Sequence, residues 1–137
     1  MDADELQRVI DASPVHRTLR LRVACADETQ VRLRAETGED QVGEEGSPYL
    51  HGGVIATLLD AAATFALIQA TGVDWGTVDL RVDFVRPAPA GLLLAAGTVV
   101  HAGRRLGRAS AELTDPATGR LLASAIGTFV RTAPEPE

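Results

Sequence analysis

The stretch Tyr49–Leu67, YLHGGVIATLLDAAATFAL, decides how the rest of the chain is read. From Gly53 to Ile68 nearly every residue is apolar or small. Gly72 then offers a stop, so the pattern predicts a helix over about residues 51–71. A helix that is apolar all round is a core helix, covered on each side by sheet or by a partner. The uninterrupted apolar run falls short of the ~20 residues a bilayer needs, carries Asp60, and lacks Lys or Arg flanks, which argues against a membrane span.

Asp60 is costly in such a place. A buried carboxylate must be hydrogen-bonded, paired with a charge, or protonated. Two readings follow. One is an ion pair with an arginine of a covering sheet. The other is a general base or nucleophile in a pocket. The start of the helix, HGGV, adds a second feature. Gly52 and Gly53 let a ligand approach the backbone with no Cβ in the way. The first N–H groups of a helix lack internal partners and carry the positive end of its dipole. Together they can form an oxyanion or phosphate site. The plainer reading is a glycine pair needed only for a tight turn into the helix.

Gly53 and Asp60 are seven residues apart, which puts them on one helical face but ~10 Å apart along the axis. A carbonyl held at the Gly53 N–H therefore cannot also touch Asp60 of the same helix. If both act on one carbonyl, Asp60 must come from a second copy of the chain. The spacing predicts a symmetric dimer with two sites at its interface.

Working outward, alternation of apolar and polar residues marks the strands. Arg20, Arg22, Arg32 and Arg34 alternate with Leu19, Leu21, Val23, Val31, Leu33 and Ala35, which reads as two strands with one wet face. Residues 37–50 are Gly-, Glu- and Pro-rich and read as a loop. After the helix, Val78, Leu80, Val82 and Phe84 alternate with Asp79, Arg81 and Asp83. Three more strands follow over about 91–103, 107–115 and 121–131, with DPATG as a turn. Leu6, Val9 and Ile10 space a short amphipathic helix over about 3–12, ended by Ser13 and Pro14. The expected class is α+β, an antiparallel sheet wrapped around one long central helix, as a single domain over 1–137. The tail TAPEPE, 132–137, is expected to fray.

The 137 residues suffice for a real core, and 45% of them are apolar. Aromatics are only 4%, so Leu, Val and Ala must do the filling. The net charge of -6 argues against a nucleic-acid partner. Cys25 is alone, which excludes an internal disulfide. The acidic start lacks the order of a secretory signal, so a reducing cytoplasm is the expected compartment. His16, His51 and His101 lack metal-ligand spacing, so no metal and no cofactor are expected.

The segments LHGGVIATLLDAAATFAL and TVDLRVDFVRPAPAG resemble the PaaI-type branch of the hotdog-fold acyl-CoA thioesterases. His51-Gly52-Gly53, Asp60 and Phe84-Val85-Arg86-Pro87-Ala88 carry the likeness, which extends over about residues 13–131. The resemblance implies a hotdog fold and dimers, often paired into tetramers, with sites built by both chains. It implies hydrolysis of a thioester to an acid and coenzyme A. A backbone N–H of the HGG turn would polarise the carbonyl. Asp60 of the other subunit would activate water or attack directly. Thr77 matches a hydroxyl that helps hold the water, and His51 would orient the turn.

One position departs from the pattern. Many relatives carry Asn six residues before the HGG histidine, where this chain has Glu45. That carboxylate could take over the Asn's role, repel Asp60, or lie in solvent. Arg104 and Arg105 read as a hairpin tip that could meet coenzyme A phosphates or simply keep the surface soluble. Tyr49, Phe65, Trp75 and Phe84 are candidates for shaping the acyl pocket. Aromatic acyl groups are implied only by likeness to the phenylacetate-degradation branch. Two other functions stay open: a hotdog hydratase or dehydratase, and a non-catalytic acyl-CoA binder.

Overall fold

A computed structural model describes residues 1–132; the rest of the expected fraying tail, 133–137, lies outside them. The central helix forms where the apolar stretch predicts it, as α3 over Gly52–Thr71. His51 caps its start, and Gly72 ends it in the left-handed conformation at φ 72°. Six strands surround it: β1 (Arg22–Ala26), β2 (Gln30–Glu36), β3 (Trp75–Phe84), β4 (Leu92–Ala102), β5 (Leu106–Thr114) and β6 (Leu121–Arg131). They form one sheet in the order β1-β2-β4-β5-β6-β3, with every neighbouring pair antiparallel.

This is the hotdog architecture, with α3 lying across the concave face. Leu58, Leu59, Ala62 and Leu67 of α3 are fully buried against Val31, Leu33, Ala95, Ala109, Leu113 and Phe129 of the sheet. Alanines on both surfaces let helix and sheet come close. At Gly97 of β4 they touch so tightly that a Cβ there would stand 1.9 Å from the Ala62 carbonyl oxygen. A helix of this length and apolarity passes a compositional test for a membrane span. Here the sheet encloses it, and it serves as the core helix.

The N-terminal helix α1 covers Ala3–Asp11, with Asp2 and Glu5 forming a reciprocal capping box. Leu6 and Ile10 enter the core. Gln7 of α1 also finishes the β1 side of the sheet. Its Nε2 donates to the Leu21 carbonyl at 2.9 Å, and its Oε1 accepts from the Val23 N–H at 2.8 Å. A free strand edge is a template for further pairing, and here α1 covers it.

The chain before β1 differs from expectation. Pro14 does not merely end α1. It opens a second short helix, α2 (Pro14–Thr18), at a position where its missing N–H costs nothing. Leu19 and Leu21 are buried as the alternation required, but Arg20 between them turns the chain at φ 51°. The first strand therefore starts at Arg22 and not at Leu19, where the alternation begins.

The opposite edge of the sheet is β3. It crosses to the far side of β6 instead of pairing with its sequence neighbour β4. Among the described residues no strand covers its outer edge. Val78, Phe84 and Val85 along and just beyond it are 58%, 57% and 48% exposed.

Candidate active site

The helix expected to be covered on every side keeps one open stripe in the protomer. Gly53, Thr57, Asp60 and Thr64 recur at helical spacing and are exposed or half-buried, facing the β3 side. Asp60 is thus half-buried, not sealed in the core. Its Oδ1 accepts a hydrogen bond from Thr77 Oγ1 at 2.7 Å. The ion-pair reading does not hold in this protomer. The salt bridges among the described residues join Arg20–Glu36, Arg22–Asp11 and Arg81–Asp83, and none includes Asp60. A short bond from a hydroxyl to one carboxylate oxygen fixes the group and leaves the other oxygen available.

Thr77 reaches Asp60 because of a β-bulge. Thr77 pairs with Phe129 and Asp79 pairs with Thr128, so Val78 is an extra residue in β3. The bulge changes the strand's phase. Trp75 and Thr77 lie on the α3 side before it, and Leu80, Val82 and Phe84 after it. Val78, expected in line with Leu80 and Val82, is turned out to solvent instead. Asp79 closes the irregularity by accepting from the Thr128 N–H at 3.1 Å. Ala56, Thr57, Asp60, Thr77 and Leu80 line an opening of about 270 Å³.

The glycine turn stands at the start of α3, beside a separate opening. Its backbone is held by a small ladder: Leu50 N–H donates to the Ala88 carbonyl at 2.8 Å, His51 N–H to Gln41 at 2.9 Å, and Gly43 N–H to Tyr49 at 3.1 Å. His51 Nδ1 accepts the Gly53 N–H at 2.9 Å. The oxyanion role expected for Gly53 therefore meets a donor already engaged. Val54 and Ile55 donate to the His51 carbonyl. The Gly52 N–H, by contrast, has no partner among the described residues. Gly52 borders an apolar groove of about 340 Å³ with Tyr49, Leu50, Ile55, Phe84 and Val85. A Cβ at Gly52 would lie 3.4 Å from the Phe84 ring, so the ring sits against this turn.

The remaining candidates separate. Glu45 is exposed and lines a different cleft, with Glu39, Asp40 and Ser47, apart from both Gly52 and Asp60 of this chain. Arg104 and Arg105 are exposed at the β4–β5 turn, at the end of the sheet where β3 begins. Two larger polar clefts, of about 480 and 530 Å³, lie around Arg20 and Glu36 and around Glu39 and Glu45. Neither contains a hydrogen-bonded carboxylate–hydroxyl pair among the described residues, which makes the α3–β3 groove the candidate site. The spacing 53, 57, 60, 64 could have revealed the open stripe, including Thr57, directly from the sequence.

A helix threaded through a curved antiparallel sheet is the hotdog fold, and here it carries an open glycine turn and a hydroxyl-bound carboxylate. The Thioesterase superfamily model matches residues 48–121, and the chain belongs to that family of thioester hydrolases. The medium/long-chain acyl-CoA thioesterase YigI of Salmonella typhimurium is 29% identical, over 85% of this chain and 84% of its own length. A solved thioesterase family protein from Silicibacter pomeroyi superposes with a TM-score of 0.86 at 25% identity, covering 96% of this chain and 98% of that one. The PaaI protein of the Escherichia coli phenylacetic acid degradation operon shares the fold, with a TM-score of 0.83, 20% identity and 96% coverage of both chains.

Proposed function

We propose that this protein hydrolyses acyl-CoA thioesters to a carboxylic acid and coenzyme A, in a site shared by two protomers. The carrying observation is the Asp60–Thr77 bond of 2.7 Å on a helical stripe otherwise made of small, uncharged residues, with no salt bridge to the carboxylate among the described residues. The Gly52 N–H is the oxyanion donor, backed by the helix dipole, and His51 braces the turn through Gly53. Asp60 of the partner acts as base or nucleophile through the oxygen Thr77 leaves free. The thioester C–S bond breaks, water supplies the acid's new oxygen, and coenzyme A leaves as the thiolate.

Distance and the sheet edge support the two-chain arrangement. Within one chain Gly52 and Asp60 are eight residues apart, ~12 Å along α3. The uncovered β3 edge, with Val78, Phe84 and Val85 exposed beside the groove, is suited to a second copy of β3. Antiparallel pairing about a two-fold axis would bring each Asp60 toward the other chain's Gly52. A cytoplasmic setting agrees with the lone, exposed Cys25. The test is Asp60→Asn, assayed by thiol release from a panel of saturated acyl-CoAs. Turnover should fall by about 10³-fold or more while the melting temperature holds. Full activity in this variant would refute the assignment. Acyl-CoA binding by the wild type without thiol release would favour the non-catalytic binder instead.

A further inference from the structure

The next step rests on the acyl-CoA reading above and concerns the far end of that substrate. We propose that Arg131, together with Arg104 and Arg105, binds the adenosine bisphosphate end of coenzyme A. The chain is anionic overall, at -6, and its 13 basic residues are all arginine. Three of these meet at one corner of the sheet. The Arg131 N–H donates to the Arg105 carbonyl at 2.9 Å, and Arg131 Nε donates to the Gly103 carbonyl at 3.0 Å. None of the three forms a salt bridge among the described residues.

Arg131 is also preorganised. Its guanidinium carbon lies 5.0 Å from the centre of the Trp75 ring. Trp75 is fixed in turn: its Nε1–H donates to Thr71 Oγ1 at 2.9 Å, and Gly107 lies so near that a Cβ there would come within 2.9 Å of the ring. A guanidinium held by its Nε and one face has little rotamer freedom left to lose. Its terminal N–H groups make no hydrogen bond among the described residues. That fork matches a phosphate.

The placement suits the substrate. Trp75 pairs with Arg131, and Thr77 pairs with Phe129, so Arg131 shares the α3-facing side of the sheet with the Thr77–Asp60 pair. Trp75 and Thr77 are two residue steps apart along the strand, ~7 Å. The long pantetheine arm keeps the phosphates away from the thioester, so their ligands belong along the molecule from Asp60 and not beside it. Arg131 and the hairpin arginines occupy such a position. Arg108, which pairs with Thr128 on the outer face, takes no part.

The experiment compares an acyl-CoA with the same acyl group on pantetheine, which lacks the nucleotide. Arg131→Gln should cut the wild-type preference for the acyl-CoA, as a ratio of kcat/KM values, by about tenfold or more. Arg104→Ala with Arg105→Ala should act in the same direction, which guards against local damage in the first variant. Calorimetric titration with adenosine 3′,5′-bisphosphate should show binding to the wild type and at least tenfold weaker binding to Arg131→Gln. Equal binding by both, or an equal loss on both thioesters, overturns the proposal. A wild type that binds the bisphosphate through Arg131 but hydrolyses neither thioester would refute the hydrolytic reading and leave this one standing.

Discussion

Gly97→Ala offers a severe test of how α3 is held. The added Cβ would fall 1.9 Å from the Ala62 oxygen and 2.3 Å from its carbonyl carbon, where real Cβ atoms essentially never come closer than 3.0 Å. Both atoms are backbone, so no side chain can swing aside. The helix must retreat by about 1 Å, and such a gap forfeits a quarter to a half of the dispersion energy across it. The surfaces that part include Leu58, Leu59 and Ala62, all fully buried. We expect a loss of about 3–5 kcal/mol, at the upper end for overpacking because the obstruction is rigid. For a chain of this size that lowers Tm by about 10–20 °C, read by circular dichroism on heating. The shift also carries Asp60 off its 2.7 Å bond to Thr77, so turnover should fall even where the variant remains folded. A Gly97→Ala protein melting within about 3 °C of wild type would refute the close-approach argument.

Thr77→Val removes the hydroxyl and keeps the shape. Hydrolysis should drop by about 10- to 100-fold, the worth of one hydrogen bond to a charged group, with little change in Tm. An unchanged kcat would show that Asp60 is held by something else. Val78→Asp places two like charges near the proposed two-fold seam. Sedimentation should then report protomers, and thiol release should be lost with the dimer; a fully active protomer would refute the shared site. Asp27 accepts from the Thr29 and Gln30 N–H groups at 2.8 and 2.9 Å, and these bonds hold its carboxyl below its usual value of 3.8. Its contribution is therefore present above the unfolded-state value and is lost as pH falls through the lower folded one. Asp27→Asn should flatten the acid side of the stability curve measured by denaturant titration between about pH 5 and 2. A curve parallel to wild type would contradict this.

Most of the fold could be read from the sequence because two periods carry it. The apolar run with its Gly72 stop yields α3, and alternation yields the six strands. What escaped reading depends on geometry that composition does not encode. Pro14 looks the same as a helix end or a helix start. The place of β3 beyond β6 is set by a long-range pairing that no local pattern specifies. The bulge at Val78 hides because T-V-D-L alternates well in either phase. At the site, Asp60 and the glycine turn stand out through charge and flexibility. The engagement of the Gly53 N–H depends on the rotamer of His51, and that is why the proposed oxyanion donor is Gly52. Arg131 went unread because its partner Trp75 lies 56 positions away in the chain.

The extra residue in β3 has a consequence for how this strand can change over time. It acts as a clutch between two stretches that face different demands, the contacts of Trp75 with Arg131 and of Thr77 with Asp60 before it, and hydrophobic fit from Leu80 onward. Straightening the bulge with the residue still in place would invert the strand's front half, sending the threonine hydroxyl to the solvent, whereas removing the residue would restore plain alternation and leave Thr77 facing the helix. Sequence drift in this enzyme should therefore accept many different side chains at position 78, as long as the two halves of the strand keep their facing.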